Sequence, residues 1–266
     1  MHPVGRVACG RWAGGQAGVQ GSGAARGLRD LDGVGDRETV TDLDPAAGSA
    51  PCTPSTDTGG YVGDPAVQAE WDRRYSERGT LWSGRPNGAL LAEVAGLTPG
   101  RALDVGCGEG ADAIWLARAG WEVTALEVSG IALARAGAHA RDAGVAVNWV
   151  HAGLVEAALP ASSFDLVSAQ YPALLRTPGG DAERALLAAV APGGILLIVH
   201  HAGMDSQPVD DGGFDPADYV WPSMVVALLD DDWVIEIDEE RPRVIPEGGA
   251  GAHHANDVVV RARRVR

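Results

Sequence analysis

The chain has 266 residues, of which 45% are hydrophobic, and it carries a formal net charge of −15 at pH 7. That length and composition suffice for one large or two small domains with a buried core. The negative charge argues against nucleic acid or an anionic membrane as the main partner. Three scattered cysteines predict neither a disulfide framework nor a zinc site. With no apolar run of about 18 residues and no secretory signal pattern, we expect a soluble cytoplasmic protein.

Residues 1–63 differ in composition from the rest of the chain. They are rich in Gly, Ala, Asp, Pro, Ser and Thr, have almost no aromatic residues, and show no sustained hydrophobic period. Such a segment cannot bury enough apolar surface to offset the entropy lost on ordering. We therefore predict a disordered N-terminal extension over 1–63, either a regulatory tail or an over-long translated start, and one folded domain over 64–266.

The folded domain is predicted to begin with a helix that has an aromatic face. Asp64 is a good N-cap and Pro65 suits the first helical position. Trp71 and Tyr75 are four residues apart and therefore lie on the same face of this helix. A loop that contains Trp82 follows, and a second predicted helix then leads to Pro99-Gly100.

The stretch 102–111 reads ALDVGCGEGA and is the most informative part of the sequence. The apolar run from Arg101 to Val105 is typical of a buried parallel strand. A tight turn follows, and a helix runs from Ala111 to Ala119, where Gly120 stops it. The turn consists of Gly106, Cys107, Gly108, Glu109 and Gly110. This arrangement of strand, glycine turn and helix binds nucleotide-like cofactors at the helix N-terminus.

The acids around the turn discriminate between cofactors. The glycine spacing alone is compatible with NAD. However, Asp104 at the end of the strand and Glu109 in the turn would repel a pyrophosphate, because the helix dipole supplies only about half a unit of positive charge. Two carboxylates suit the ammonium and sulfonium groups of S-adenosylmethionine. Glu127 ends the second predicted strand, which begins at Trp121, and lies where an acid can accept from both ribose hydroxyls.

These motifs resemble those of the class I S-adenosylmethionine-dependent methyltransferases. The residues LDVGCGEGAD, followed by WLAxxGWxVTALEVS, are most similar to the small-molecule branch that includes the tellurite-resistance and thiopurine methyltransferases. The likeness extends from about Trp71 to Arg264. It implies that the segment before the first strand is a lid, with Trp71, Tyr75 and Trp82 at the border of the active site; packing against the sheet is the alternative. It also implies cofactor contacts at Asp104, Gly106, Cys107, Gly108, Glu109, Gly110, Glu127, Val128, Leu154 and Gln170.

One position departs from the family pattern. Many relatives carry A-D-L after the third strand, and the Asp accepts a hydrogen bond from the adenine amine. Here the residues are Ala152, Gly153 and Leu154, and Gly153 has no side chain. His151 or a backbone carbonyl would have to replace that contact.

The remainder of the chain continues the alternation of strands and helices. A helix capped by Ser129 leads to three strands, with a helix before the last of them and a turn at Pro192–Gly194. A helix over 221–229 and an antiparallel pair of strands, 233–237 and 257–265, complete the chain. The predicted fold class is α/β, with a Rossmann-like, seven-stranded, mostly parallel sheet and helices on both faces. The predicted strands after Ser129 are Val145–Val150, Phe164–Ala169 and Ile195–Val199.

The candidate catalytic residues follow the fourth and fifth strands, where open α/β sheets bind ligands. Tyr171 is placed to orient the acceptor or border the sulfonium, although a half-buried tyrosine at a strand end is the alternative. His200 and His201 end the fifth strand. One of them, His200 in our interpretation, is a candidate general base, and the alternative is that it is a buried, hydrogen-bonded core residue. A flexible loop over 204–218 is expected near the acceptor site.

The sequence thus predicts an enzyme that transfers a methyl group from S-adenosylmethionine to a small-molecule acceptor through S, N, O or a metalloid. A non-catalytic S-adenosylmethionine-binding protein and an NAD-dependent oxidoreductase are the alternatives. No metal site is expected, because His253 and His254 are adjacent and point apart on a strand. We expect a monomer or a weak homodimer with no nucleic-acid or membrane partner.

Overall fold

The computed structural model of the chain describes residues 62–209, 214–244 and 254–266. The predicted disorder of residues 1–61, part of the loop over 204–218, and His253 lie outside the described residues. The helices and strands are, in chain order, α1 (Pro65–Ser76), α2 (Gly88–Val94), β1 (Arg101–Val105), α3 (Ala111–Arg118), β2 (Glu122–Glu127), α4 (Gly130–Ala143), β3 (Asn148–His151), β4 (Phe164–Gln170), α5 (Asp181–Ala189), β5 (Val190–His201), α6 (Pro222–Val226), β6 (Trp233–Pro242) and β7 (Asn256–Arg264).

Seven strands form one sheet in the order β3-β2-β1-β4-β5-β7-β6. The first five strands in this order are parallel, while β7 is antiparallel to β5 and β6 is antiparallel to β7. This confirms the predicted fold class. The strand order reverses between β1 and β4, so the crevice outside the carboxyl ends of these two strands is where a ligand is expected.

Both faces of the sheet are covered by helices, because the strands bury alternate residues on opposite sides. Leu103 of β1 packs in a core cluster with Leu186 of α5 and Val225 of α6. Its neighbour Ala102 packs in a second cluster, together with Leu90 of α2 and Leu116 of α3. The polar residues at the strand ends are held at the edge of these two cores.

Several predicted boundaries are wrong. The glycines after Pro192 do not form a turn between helix and strand: they lie within β5, which runs on to include His200 and His201. Gly193 there has a φ of +82°, and the pairing of β4 with β5 shifts register between Phe164 and Leu166, so the extra residues are accommodated as a bulge. β3 begins three residues later than predicted and α6 ends earlier, at Val226.

Val62 is part of the folded domain, although the predicted disordered extension includes it. Its N–H donates to the carbonyl of His151 at 3.2 Å, and its carbonyl accepts from the N–H of Gly153 at 3.1 Å. These bonds form a parallel bridge next to β3. Paired backbone therefore begins at Val62, just before the predicted start of the domain at Asp64. Among the described residues, no helix is long and apolar enough to cross a membrane.

Candidate active site

The glycine turn has the backbone that its sequence predicts. Gly106, Gly108 and Gly110 have φ values of +72°, +55° and +85°, a region that residues with a side chain rarely adopt. The N–H groups of Gly106 and Cys107 both donate to the carbonyl of Leu126 at 2.9 Å. A Cβ on Gly106 would meet no atom within 4 Å. The turn is thus tied to the end of β2. Above Gly106 it leaves an open space, which we call the cradle.

Glu127 joins the glycine turn to the start of α4. One carboxylate oxygen accepts from the N–H of Gly108 at 2.9 Å and the other from the N–H of Ser129 at 2.9 Å. Burial raises the pKa of Glu127, and backbone N–H groups, including these two, oppose that shift. Each carboxylate oxygen has two lone pairs, so these bonds leave capacity for the ribose hydroxyls that the sequence predicts as partners.

The deepest part of the cradle contains an acidic pair. Oδ2 of Asp104 is buried and has no hydrogen-bond partner among the described residues. Burial raises the pKa of Asp104, and the nearby carboxylates of Asp112 and Glu127 raise it further. Asp112, which sequence reasoning did not identify, accepts from the backbone N–H and the side-chain amide of Asn87, each at 2.7 Å. An unpaired buried acceptor among acids suits a cationic group and does not suit a pyrophosphate.

Glu109 holds a lid over the glycine turn. One carboxylate oxygen accepts from the N–H groups of Leu81 and Trp82, both at 3.1 Å, and the other pairs with Arg135 at 2.9 Å. Arg135 also donates to the carbonyls of Tyr75 and Arg78. Both oxygens of Glu109 therefore have partners inside the chain. The predicted contact of Glu109 with the cationic end of the cofactor stays a prediction, and the structure adds a second role, in holding the lid.

The aromatic residues of the lid lie directly over the turn. Nε1 of Trp82 donates to the hydroxyl of Tyr75 at 3.0 Å, and the rings of Trp71 and Tyr75 are 6.2 Å apart. A Cβ on Gly108 would be 2.9 Å from that hydroxyl and 3.3 Å from Nε1 of Trp82. α1 is anchored by Asp72, which accepts from the hydroxyl of Ser129 at 2.6 Å. The structure therefore brings these three predicted aromatic residues together at the glycine turn.

The chain beyond β3 closes the side of the cradle where adenine is expected. The N–H of Gly153 is bonded to Val62, and a Cβ on Gly153 would be 2.2 Å from Oε2 of Glu156. Nε2 of His151 is 3.1 Å from the carbonyl of Val128. Leu154 is buried in the core beside this segment. This contact is with the end of a flexible, exposed side chain that can move away, so the structure does not explain the departure from the family pattern at Gly153.

Two further predicted cofactor residues lie beside the turn. Burial raises the pKa of the Cys107 thiol, so it is held protonated. Gln170 is buried at the end of β4; its amide nitrogen donates to the hydroxyl of Ser168 at 3.1 Å. Its Oε1 has no hydrogen-bond partner within the described ranges, which makes it a second acceptor available to a ligand.

Tyr171 lies in a cluster at the carboxyl ends of β4 and β5. Its φ is +51°, a strained value for a residue with a side chain, of the kind found at functional sites. Its hydroxyl donates to Oδ2 of Asp257 at 2.8 Å, and its ring stacks on that of His201 at 4.3 Å. Nδ1 of His201 is 3.3 Å from Oδ1 of Asp257. Asp257 was not identified from the sequence, because only the register of β5 and β7 places it beside His201.

His200 points to the opposite face of the sheet. Its ring is 4.3 Å from that of Trp221, and its Nδ1 accepts from the N–H of His201 at 3.0 Å. Burial lowers the pKa of His200 to about 3. Such an imidazole is neutral at pH 7 and is a weak base, so its environment is that of the buried core residue that we kept as the alternative.

The structure therefore divides the predicted acceptor pocket into two groups. Tyr75 and Trp82 contact the glycine turn, with Trp71 beside Tyr75, whereas Tyr171 contacts Asp257 of β7. A cavity of about 310 Å³ lies next to this second group. Its lining residues are Met204, Gln207, Pro208, Phe214 and His254. Within the described ranges, no three His, Cys, Asp or Glu side chains form a group that could hold a metal ion.

Residues 102–194 match the model of a family described as a methyltransferase domain. An uncharacterized methyltransferase of Mycobacterium tuberculosis is 36% identical over 111 residues, which cover 42% of this chain and 55% of that protein. The ubiquinone biosynthesis O-methyltransferase of Cronobacter sakazakii is 30% identical over 159 residues, which cover 54% of this chain and 65% of that protein. The chain thus spans about half the length of the first of these relatives and about two thirds of the second.

Solved structures share the fold. A protein solved in a study of the conversion of a disulfide bond into a thioacetal group during echinomycin biosynthesis has a TM-score of 0.59 at 24% identity, covering 74% of this chain and 92% of that one. TehB from Haemophilus influenzae has a TM-score of 0.52 at 14% identity, with coverages of 74% and 66%. The family match thus covers β1 to the start of β5, and over this region the chain is similar to methyltransferases, with a buried, unpaired oxygen of Asp104 that suits a cationic ligand.

Proposed function

We propose that the protein transfers the methyl group of S-adenosylmethionine to a small-molecule acceptor. The observation that carries this proposal is the unpaired, buried Oδ2 of Asp104 beneath the glycine turn. The bound cofactor supplies an already activated methyl group, so the work of the protein is to position two reactants and to exclude water.

The residues of the cradle fit the two ends of this cofactor. Asp104 offers a carboxylate to its ammonium group, with a charge-assisted hydrogen bond as the expected contact. Glu127 offers its remaining lone pairs to the ribose hydroxyls. Gly106 leaves open space for close approach of the backbone. In this proposal Val128, Leu154 and Gln170 border the same cradle, and Cys107 contributes backbone and a neutral thiol.

The lid favours a small acceptor. Tyr75 is buried, and its hydroxyl and Nε1 of Trp82 lie within 3.3 Å of the position of a Cβ on Gly108. A site covered in this way excludes water and admits a small molecule more readily than a macromolecule. The net charge of −15 also disfavours nucleic acid as the acceptor.

The acceptor is expected between Gln170 and the cluster around Tyr171. Oε1 of Gln170 is an unused acceptor on the side of the cradle towards β5, so it can bind an N–H or O–H group of the substrate. The mainly apolar cavity beside Phe214 provides room for the rest of such a molecule. Tyr171 borders this path.

Two measurements test the proposal. Calorimetry should show binding of S-adenosylmethionine and S-adenosylhomocysteine but not of NAD. Formation of S-adenosylhomocysteine is then measured with a panel of thiols, amines, phenols and metalloid oxyanions. Trp82→Ala and Tyr171→Phe should lower turnover while cofactor affinity changes little. Trp233→Ala is the matched control, since Trp233 begins β6 at the opposite end of the sheet. Cofactor binding without turnover of any acceptor would instead support a non-catalytic binding protein, and absence of cofactor binding would refute the proposal.

A further inference from the structure

We propose that His201, positioned by Asp257, removes a proton from the acceptor, and that the acceptor atom is therefore a hydroxyl oxygen. This inference rests on the proposed function and concerns which residue acts on the acceptor. A thiol ionises near neutral pH and a metalloid oxyanion already carries a free electron pair, so neither needs a strong base. A hydroxyl is protonated at pH 7 and needs one; a protonated amine also does, but Arg243 beside Asp257 and Tyr171 disfavours a second positive charge there.

The position of His201 in the sheet separates it from its neighbour. Alternate residues of a strand share a face, and aligned residues of adjacent strands point the same way. Asp104 aligns with Ser168, Gln170 with Val199, and His201 with Asp257. Asp104, Ser168, Gln170, His201 and Asp257 therefore lie on one face, from the bottom of the cradle across β4 and β5 to β7, with the apolar Val199 among them. His200, one residue away, points to the other face.

Three neighbours fix the orientation of the His201 ring. Tyr171 stacks on one face at 4.3 Å, and His254 stacks on the ring at 3.9 Å with an interplanar angle of 8°. Nδ1 is 3.3 Å from the carboxylate of Asp257. A carboxylate can only accept, so Nδ1 carries the hydrogen and Nε2 carries the lone pair. A histidine tautomer held by a carboxylate in this way is the arrangement that a general base requires.

The charges around His201 make Asp257 essential to this role. The groups that face it are Tyr171 from the chain after β4, Asp257 of β7 and His254 from the segment before β7. Arg243, which follows β6, is 3.8 Å from Asp257 and lies 4.9 Å from the centre of the Tyr171 ring. The arginine and the second imidazole oppose a positive charge on His201. The carboxylate of Asp257 is the group that offsets them.

The proposed step is balanced. The proton of the acceptor hydroxyl moves to Nε2 of His201, and an electron pair of the oxygen forms the bond to the methyl carbon. The electron pair of the broken carbon–sulfur bond stays on sulfur, which becomes a neutral thioether. The imidazolium is paired with Asp257 and returns its proton to water after product release. Tyr171, through its bond to Oδ2, positions the carboxylate.

Nitrogen-15 NMR of the protein saturated with S-adenosylhomocysteine gives a readout independent of turnover. The inference predicts that His201 carries its hydrogen on Nδ1, and that Asp257→Asn increases the population of the other tautomer. A hydrogen on Nε2 of His201 in the wild-type protein would overturn the inference, even if methyl transfer occurs.

Turnover with a phenol panel tests the catalytic part. His201→Asn should lower kcat by about 10²-fold or more, with the Kd for S-adenosylhomocysteine within about twofold of wild type. In His200→Asn, the control next to it in the chain, kcat should change far less. Asp257→Asn should lower kcat and shift its acid limb to lower pH, because the imidazolium loses its partner, whereas a merely structural loss would leave the limb unmoved. Full phenol turnover by His201→Asn, or turnover with thiols or amines alone, would overturn the inference. Failure of the wild-type protein to bind the cofactor would instead refute the proposed function.

Discussion

The substitution Gly106→Ala tests cofactor binding in the cradle separately from the stability of the fold. The residue has a φ of +72°, and a Cβ there would meet no protein atom within 4 Å. An alanine in this conformation costs about 1–2 kcal/mol, partly offset by about 0.4–1 kcal/mol from the restricted unfolded chain. A net loss of about 1 kcal/mol corresponds to a fall in Tm of about 2–4 °C in a domain of this size. The methyl group fills the space where the cofactor is expected to approach the backbone.

The matched control is Gly144→Ala. Gly144 has a φ of +68°, and a Cβ there would likewise meet no atom within 4 Å, but this glycine caps the C-terminus of α4 away from the turn. The melting temperature without ligand should therefore fall by a similar few degrees in both variants. Calorimetry with S-adenosylhomocysteine should show a loss of at least about tenfold, or about 1.4 kcal/mol, for Gly106→Ala alone.

The comparison has two outcomes that would contradict the reasoning. Equal cofactor affinity in Gly106→Ala and wild type would show that the cofactor does not approach this part of the turn. Equal loss of affinity in both variants would show that backbone strain weakens binding from a distance. Gly108 is less suitable for this test, since a Cβ there would also press on the lid at Tyr75.

Three other predictions follow from buried charges. Arg135→Met should release the lid, since it removes the partner of Glu109, and limited proteolysis should cut faster within 77–86; an unchanged rate would contradict the role of Arg135. His200 has a pKa of about 3 when folded and about 6.5 when unfolded. As pH falls below 6.5, the unfolded chain binds a proton that the folded protein does not, so the free energy of unfolding should fall by up to about 1.4 kcal/mol per pH unit. Urea denaturation at pH 7 and 5 should show this loss in the wild-type protein and not in His200→Asn. Cofactor binding should release protons, because a cation lowers the raised pKa values of Asp104 and Glu127; calorimetry in buffers of different ionisation enthalpy should show less release in Asp104→Asn.

The parts of the fold that the sequence predicted well are those encoded by contiguous residues. The strand, glycine turn and helix around Gly106 depend on local backbone geometry, and the structure shows left-handed glycines at the predicted turn. Ser129 and Gly144 begin and end α4 as expected, because capping uses residues within one turn of the helix. The alternation of strands and helices was enough to predict the sheet.

The parts that were missed depend on pairs distant in the chain. Asp257 reaches His201 through the register of β7 against β5, and Arg135 of α4 reaches Glu109 in the glycine turn. Nothing local to these residues distinguishes them from solvated charges. The start of β5 at Val190 was missed because Gly193 and Gly194 are typical of a turn, whereas here they accommodate a bulge.

The buried acids also explain why charge discriminated between cofactors when glycine spacing did not. Asp104, Asp112 and Glu127 all have raised pKa values, with burial as the largest cause. Like charges placed together in a low-dielectric interior destabilise the folded protein, and an apolar residue at Asp104 would remove that cost. Hydrogen bonds to Asn87 and to backbone N–H groups satisfy Asp112 and Glu127, but one oxygen of Asp104 has no partner among the described residues. A cationic ligand relieves both the repulsion and the unmet acceptor, so binding of the cofactor stabilises an arrangement of acids that is unfavourable without it.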